Sequence, residues 1–412
     1  MRSSLFLARI GLACTLGVLC THALAQEPPR QPDKPDEKFE ETDPYTRGAK
    51  KDLEHAGYES LGPFHLADDI QTQDVEETLG TRILWVETAH FHLGSTLPAY
   101  DCPSDDIEQE QLKGEFTRLG KRIPRARRPP RKLDPWLRLH LYAQRLEELY
   151  SDFEQMFALQ ESEFGPSAAA GKSLGAGRYL GMELKFTVLL TAKTSSIARF
   201  GKQWLGLEEQ GFYRARLPGG SWYFGTSAET LRKLGCESDA GLHALVAYGV
   251  AVDLCDAFGG GGQMKPLWWK HGLGLYESRR ADERWSVHVE RTATGSEADA
   301  WRWEPRIRGL LENDFLPTWE AMLGWPYDHE LDAGEHMSTW SRVEWLMTQE
   351  KTDRRAFLVA ISTPLENSLD GKELAAAELA RATQALAAGF GKSPAELDAA
   401  WRKFVLRKYP KR

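Results

Sequence analysis

Cysteine is scarce in this 412-residue chain, with five in all. Cys14 and Cys20 fall in an N-terminal apolar stretch. The other three, Cys102, Cys236 and Cys255, can form at most one disulfide, which excludes a scaffold built on disulfides. There is no basic surplus either. Lys and Arg number 52 against 60 Asp and Glu, a formal net charge of −8, which argues against a dedicated nucleic-acid binder. Beyond the N-terminal stretch, no segment reads as apolar and long enough to cross a bilayer. No Gly-x-Ser-x-Gly elbow is present, so a serine hydrolase of that type finds no support. Gly165 to Ser173 (GPSAAAGKS) fails as a phosphate loop, because five residues separate its glycines where four are needed and no strand leads in. Internal repeats are lacking too.

What is present is enough apolar material for a sizeable core, 42% hydrophobic and 10% aromatic residues. The N-terminus reads as a secretory signal. Arg2 and Arg9 supply positive charge, Ile10 to Cys20 an apolar run, and Ala23-Leu24-Ala25 a small-x-small cleavage pattern. The signal should cover residues 1–25, leaving a mature chain that starts at Gln26 and is exported, periplasmic or extracellular. Residues 26–75 read as a disordered tether. Its charged, proline-rich part, to about residue 57, has too few aliphatic groups to offset chain entropy. A single domain is expected over residues 80–408.

Arg82 to Leu93 and Leu184 to Thr191 carry strand patterns, and Gly211 to Phe224 a hairpin turning at Pro218-Gly219-Gly220. Lys121 to Lys132 is a basic, proline-broken loop. Asp134-Pro135 opens a helix, with Asp as cap and Pro at the first helical position. Ser195 to Trp204 looks helical. Ser238 caps a helix over Ala240 to Phe258 that is apolar nearly all round and should lie in the interior. Further helices are expected around 306–323, 339–349, 372–390 and 394–406. Strands first and helices later, without alternation, indicate an α+β fold.

Two segments carry the functional argument. One is Leu242-His243-Ala244-Leu245-Val246-Ala247-Tyr248, on the apolar helix. The other runs from Pro266 through Trp268-Trp269-Lys270-His271-Gly272 to Tyr276. In order and spacing they resemble the gluzincin zinc peptidases, in particular the peptidase-MA-like families of bacterial exported proteins. The resemblance spans roughly residues 80–408, including Glu87-Thr88-x-His90-Phe91 and the closing stretch from Phe390 to Trp401. It implies a gluzincin-like fold, strand-rich first and helical later, around a buried central helix. It also implies a metal site at these segments, which here is degenerate. His243 stands at the first histidine of His-Glu-x-x-His. Ala244 replaces the catalytic glutamate, Ala247 the second histidine, and His271 the third ligand. A catalytic zinc needs three protein ligands and an open position for water, and the water needs a base that Ala244 cannot supply.

The resemblance therefore implies an exported pseudoenzyme, without a catalytic residue and without a cofactor, holding a peptide or protein ligand in the former cleft. His243, His271, Tyr248, Trp269 and Tyr276 should lie near the old site. Two readings stand beside it. One is an active metallohydrolase with zinc on non-standard ligands, with His90 and His92 as further donors by residue type. The other is an envelope or glycan-binding protein that uses some of its 14 tryptophans, nine of which lie between Trp268 and Trp345. His243 and His271 can also be ordinary core residues. Expression of the whole chain in a secreting bacterial host should yield a product whose intact mass begins at Gln26. A product retaining residues 1–25 would refute the export signal.

Overall fold

The computed structural model describes residues 42–411, apart from 167, 169–172, 208–210, 262–264, 287–300, 367–368 and 370. The expected signal, the expected tether up to residue 41 and parts of the two glycine-rich stretches lie outside the described residues. The strands are β1 (Tyr58–Ser60), β2 (His65–Ala67), β3 (Ile70–Gln71), β4 (Leu84–Thr88), β5 (Phe91–Ser95), β6 (Tyr100–Asp101), β7 (Lys132–Leu133), β8 (Phe186–Thr191), β9 (Phe212–Arg216) and β10 (Trp222–Ser227). Helices α1 (Lys50–Ala56), α2 (Thr72–Leu79), α3 (Asp106–Arg122), α4 (Pro135–Met156), α5 (Thr194–Phe200) and α6 (Ala228–Lys233) are interleaved with them. Then come only helices: α7 (Asp239–Ala257), α8 (Leu267–Ala281), α9 (Trp303–Glu312), α10 (Trp319–Leu323), α11 (Ala333–Leu346), α12 (Lys351–Ile361), α13 (Gly371–Phe390) and α14 (Pro394–Lys408). The fold is α+β, with a mixed sheet in the N-terminal half and helices in the C-terminal half.

The main sheet has the order β1-β4-β5-β8-β10-β9. Its central pairs β5–β8 and β8–β10 are parallel and the outer pairs antiparallel. Both faces are covered, so β8 (FTVLLT) is buried at every position, as expected of a strand between two layers. Trp85, Leu189 and Tyr223 point to the side of α2 and α5, where Ile197 and Phe200 pack. Val86, Val188, Leu190 and Phe224 point to the larger core that holds α4 and α7.

Helix α7 runs through that core. Ser238 Oγ accepts the Gly241 N–H at 3.0 Å and caps it. Two glycine contacts let its neighbours approach. A Cβ on Gly249 would stand 2.1 Å from the Phe224 ring of β10, and one on Gly274 of α8 would stand 2.7 Å from the Tyr248 ring. Any larger residue there forces helix and partner apart. On the far side of α8, a Cβ on Gly272 would meet the Thr339 carbonyl of α11 at 2.7 Å.

The C-terminal helices are joined by indoles and guanidinium groups. Arg342 of α11 is fully buried, 3.8 Å from the centre of the Trp401 ring and 5.4 Å from that of Trp319. It donates to Asp398 of α14 at 2.9 Å and to the Pro317 carbonyl. Burial pulls its guanidinium down to about 10, partly offset by Asp398. Arg279 of α8 lies between Trp303 and Trp340 in the same manner.

Several expectations need correction. Residues 42–75 are not all tether: α1, β1 to β3 and the start of α2 form there. Asp43 explains how the segment is held. It accepts from Tyr45 N–H at 2.8 Å and from Thr46, and sits 3.1 Å from Nε2 of the fully buried His140 on α4. Tyr58 Oη meets the other nitrogen of that ring at 3.0 Å. Tyr45 Oη donates to Asp134, the residue that caps α4. Polar anchors hold its start, and Ala56, Tyr58, Leu66, Ile70 and Val75 bury its apolar side chains in the two cores. Contrary to expectation, α7 is long and apolar enough to cross a membrane by length and composition, but it is buried inside the protein. The helix expected over 306–323 is two, α9 and α10, separated by a turn that contains Pro317. Helices α3 and α12 were not anticipated. Cys102, Cys236 and Cys255 are all free thiols. Burial pushes Cys255 up to about 12, consistent with an inert thiol.

Burial pushes the Asp43 carboxyl up, but its bonds from His140, Thr46 and Tyr45 outweigh that and hold it below its ordinary value of 3.8. A carboxylate lowered on folding contributes stability above its unfolded value and loses it as pH falls through the folded one. Asp43→Ala should therefore cost about 1–3 kcal/mol at neutral pH. In urea melts the gap from the native protein should narrow below about pH 4. A gap independent of pH would refute this account.

Candidate functional site

A cleft of about 320 Å³ opens between α3, the first turn of α7 and the end of α8. Its floor is an ion network tying three helices together. Arg145 of α4 grips Glu115 of α3 with two bonds of 2.8 Å, and its third nitrogen donates to Asp239 at 2.8 Å. Arg138, two helical turns earlier on α4, donates to the other Asp239 oxygen at 2.7 Å and to the Pro98 carbonyl. Tyr142 Oη also donates to Asp239. All four charged side chains are buried. Two positive and two negative charges cancel, which is the condition under which buried ions are tolerated. Asp239 also sits in the first turn of α7, where the helix dipole favours a carboxylate. Burial pushes Asp239 and Glu115 up, but Arg145, joined at Asp239 by Arg138, outweighs it and holds both below their ordinary values.

His243 lines this cleft, with 21% of its side chain exposed. Its Nδ1 stands 3.9 Å from Glu115 Oε1, too far for a hydrogen bond. Burial, then the charge of Arg145, pulls the imidazole down to about 3, so it is neutral at physiological pH.

The other residues expected at the site are placed elsewhere. Ala244 and Ala247 are buried in the packing of α7. Tyr248 Oη lies 2.8 Å from His271 Nδ1, and His271 Nε2 lies 2.6 Å from His336 Nδ1 on α11. Tyr248 lies five positions after His243, roughly 140° around a helix, and the two serve different surroundings. The α7 residue opposite His271 is thus Tyr248, not Ala247, and the position one turn before it is Ala244. Trp269 is core, packed edge-on against Phe357 and Phe157. Tyr276 is half-buried, with Arg280 5.9 Å from its ring centre. His90 pairs with Glu147 at 2.7 Å and His92 with Glu87 at 3.3 Å, and neither lines the cleft. The structure therefore brings Tyr248 and His271 together and leaves His243 apart from both.

This donor set does not fit a catalytic zinc. The carboxylate nearest His243 has both oxygens committed to Arg145, and His271 is turned to Tyr248 and His336. Among the described residues, no three His, Cys, Asp or Glu side chains are arranged to hold a metal ion. Sequence reasoning missed Glu115, Arg138, Arg145, Asp239 and His336. The seven-residue spacing of the two arginines on α4 and the acid just after the Ser238 cap were the available signals. All 14 tryptophans are buried or half-buried, so no solvent-facing row of indoles exists.

No protein-family model, curated protein or solved structure matches this chain.

The geometry ranks the residues. Asp239→Ala leaves two buried guanidinium groups short of their counter-ion and should cost about 3–5 kcal/mol. His243→Ala breaks no hydrogen bond and should cost under about 1 kcal/mol. Denaturant melts of the two variants test the order, and equal losses would refute it.

Proposed function

We propose that this chain is an exported, catalytically inactive relative of the gluzincin peptidases that binds a peptide or protein segment in the cleft beside His243. One observation carries the proposal. His243, the histidine retained at the family's first ligand position, borders a cleft whose buried charges are already spent on one another. A hydrolytic centre needs an open metal position and a base near the water. Ala244 and Ala247 supply neither, and Glu115 is held by Arg145. The concavity suits a segment of ligand better than a flat partner surface. The overall order of sheet and helices agrees with the gluzincin resemblance at the level of fold class, and the resemblance itself remains part of the proposal.

The metallohydrolase alternative requires His271 to join other donors. Its contacts to Tyr248 and His336 do not favour that. The glycan alternative rested on exposed indoles, and no observation supports it.

Purified protein should carry well under one equivalent of zinc by elemental analysis and should not cleave casein. Stoichiometric zinc, with casein turnover abolished by His243→Ala, would overturn the proposal.

A further inference from the structure

We propose that the basic loop at residues 121–132, apart from the cleft beside His243, is a docking surface for an anionic phospholipid membrane. Seven of the chain's 52 Lys and Arg residues fall in this stretch, and no Asp or Glu does. Two of the seven build the loop. Arg122 donates through two nitrogens to the Ala56 carbonyl, at 3.0 and 2.6 Å. Arg125 donates to the Tyr45 carbonyl at 2.7 Å and to Asp52 at 3.2 Å. Ile123 and Ala126 are buried, and the Arg131 carbonyl accepts the Cys102 N–H at 2.9 Å. The backbone is thereby fixed, so the charges it carries are held in place.

Those charges are left uncompensated. Lys132 stands opposite Asp101 in the β6–β7 pair. Lys121, Arg127, Arg128 and Arg131 are exposed, and among the described residues no carboxylate is bonded to their side chains. Their neighbours have the same sign. The anchors to Tyr45, Asp52 and Ala56 hold the loop against the segment that carries Arg47, Lys50 and Lys51, which are exposed as well. Lys50 has only Glu54, at 3.8 Å. Lys50 and Lys51 open α1, the helix end where the dipole disfavours positive charge. Gathering like charges without counter-charges costs stability, so packing does not account for this pattern. A partner with dense negative charge does.

Two observations favour a lipid surface over a nucleic acid. The loop has no aromatic side chain on which a base could stack. The rest of the chain is more acidic than the whole, whose net charge is already −8. A long polyanion would have to run over that acidic body, whereas a planar bilayer can meet the patch alone. At an anionic bilayer each nearby Lys or Arg adds roughly fivefold to the affinity.

Sedimentation of the purified chain with lipid vesicles tests this. It should pellet with vesicles of equal parts phosphatidylcholine and phosphatidylglycerol and stay in solution with phosphatidylcholine alone. It should be released as salt rises from about 0.1 to about 0.5 M. Arg127→Gln with Arg128→Gln and Arg131→Gln should weaken binding on the order of a hundredfold, at an unchanged urea midpoint. Lys403→Gln with Arg407→Gln and Lys411→Gln removes as much exposed charge at the other end of the chain, and should weaken binding less than about threefold. Failure to pellet with the mixed vesicles, or equal losses in the two triple variants, would overturn the proposal. Tighter binding to single-stranded DNA than to the mixed vesicles, lost in the loop variant, would overturn it too and assign the loop to nucleic acid.

Discussion

A helix that is apolar on every side cannot remain at a surface, and the rest of this molecule is arranged around that constraint. Helix α7 needs a wall on each flank. The sheet supplies one, coming close enough at Gly249 for the Phe224 ring to touch the helix backbone. Helix α8 supplies another through Gly274, and α4 a third. Charge enters only at its two ends. Asp239 opens the helix and is clamped by Arg138 and Arg145. Asp253 and Asp256 near the close share Arg214 of β9, at 2.7 and 2.9 Å. Polar groups at both ends, with the Tyr248–His271 bond between them, thus fix the depth and rotation of an element that non-directional apolar contact alone would leave loosely specified.

That rotation decides what the neighbouring histidines do. Turned one residue from the register suggested by the motif, α7 presents Tyr248 to His271 and sends His243 toward α3. The chemistry divides accordingly. One imidazole joins a buried chain from Tyr248 to His336, and the other borders open space over a neutralised ion network. The proposal of a binding cleft depends on this division. Had His243 and His271 faced each other with a free carboxylate, the same residue types would have argued for hydrolysis.

Much of the fold was legible because it was written locally. The Ser238 cap, the Asp134-Pro135 helix start, the strand expected from Leu184 to Thr191 and the turn at Pro218-Gly219-Gly220 each depend on a few adjacent residues, and the structure has all four, the strand beginning at Phe186. Helix α3 was illegible for a definite reason. Its buried stripe is only Leu112, Phe116 and Leu119, and its other buried contact, Glu115, looks like a surface residue until Arg145 is brought beside it from 30 positions away. The order in residues 42–60 escaped notice likewise, since it comes from distant partners: Asp43 meets His140 across 97 positions, and β1 pairs with β4. Composition registers how much a segment can bury but not which distant partner it will find. The candidate site suffered most, because its floor is made of ionic partners from three helices that no local pattern connects.

Arg342 shows how such distant partnerships bind the end of the chain to its middle. The guanidinium sits among indole rings with one carboxylate, Asp398, within bonding reach, and both that acid and the Trp401 ring above it arrive on the last helix. Shortening the chain before α14 would strip away counter-ion and roof together and leave the cation with only the Pro317 carbonyl and the Ser338 hydroxyl. The final turns are a closing plug, without which the helical half would have to take in water.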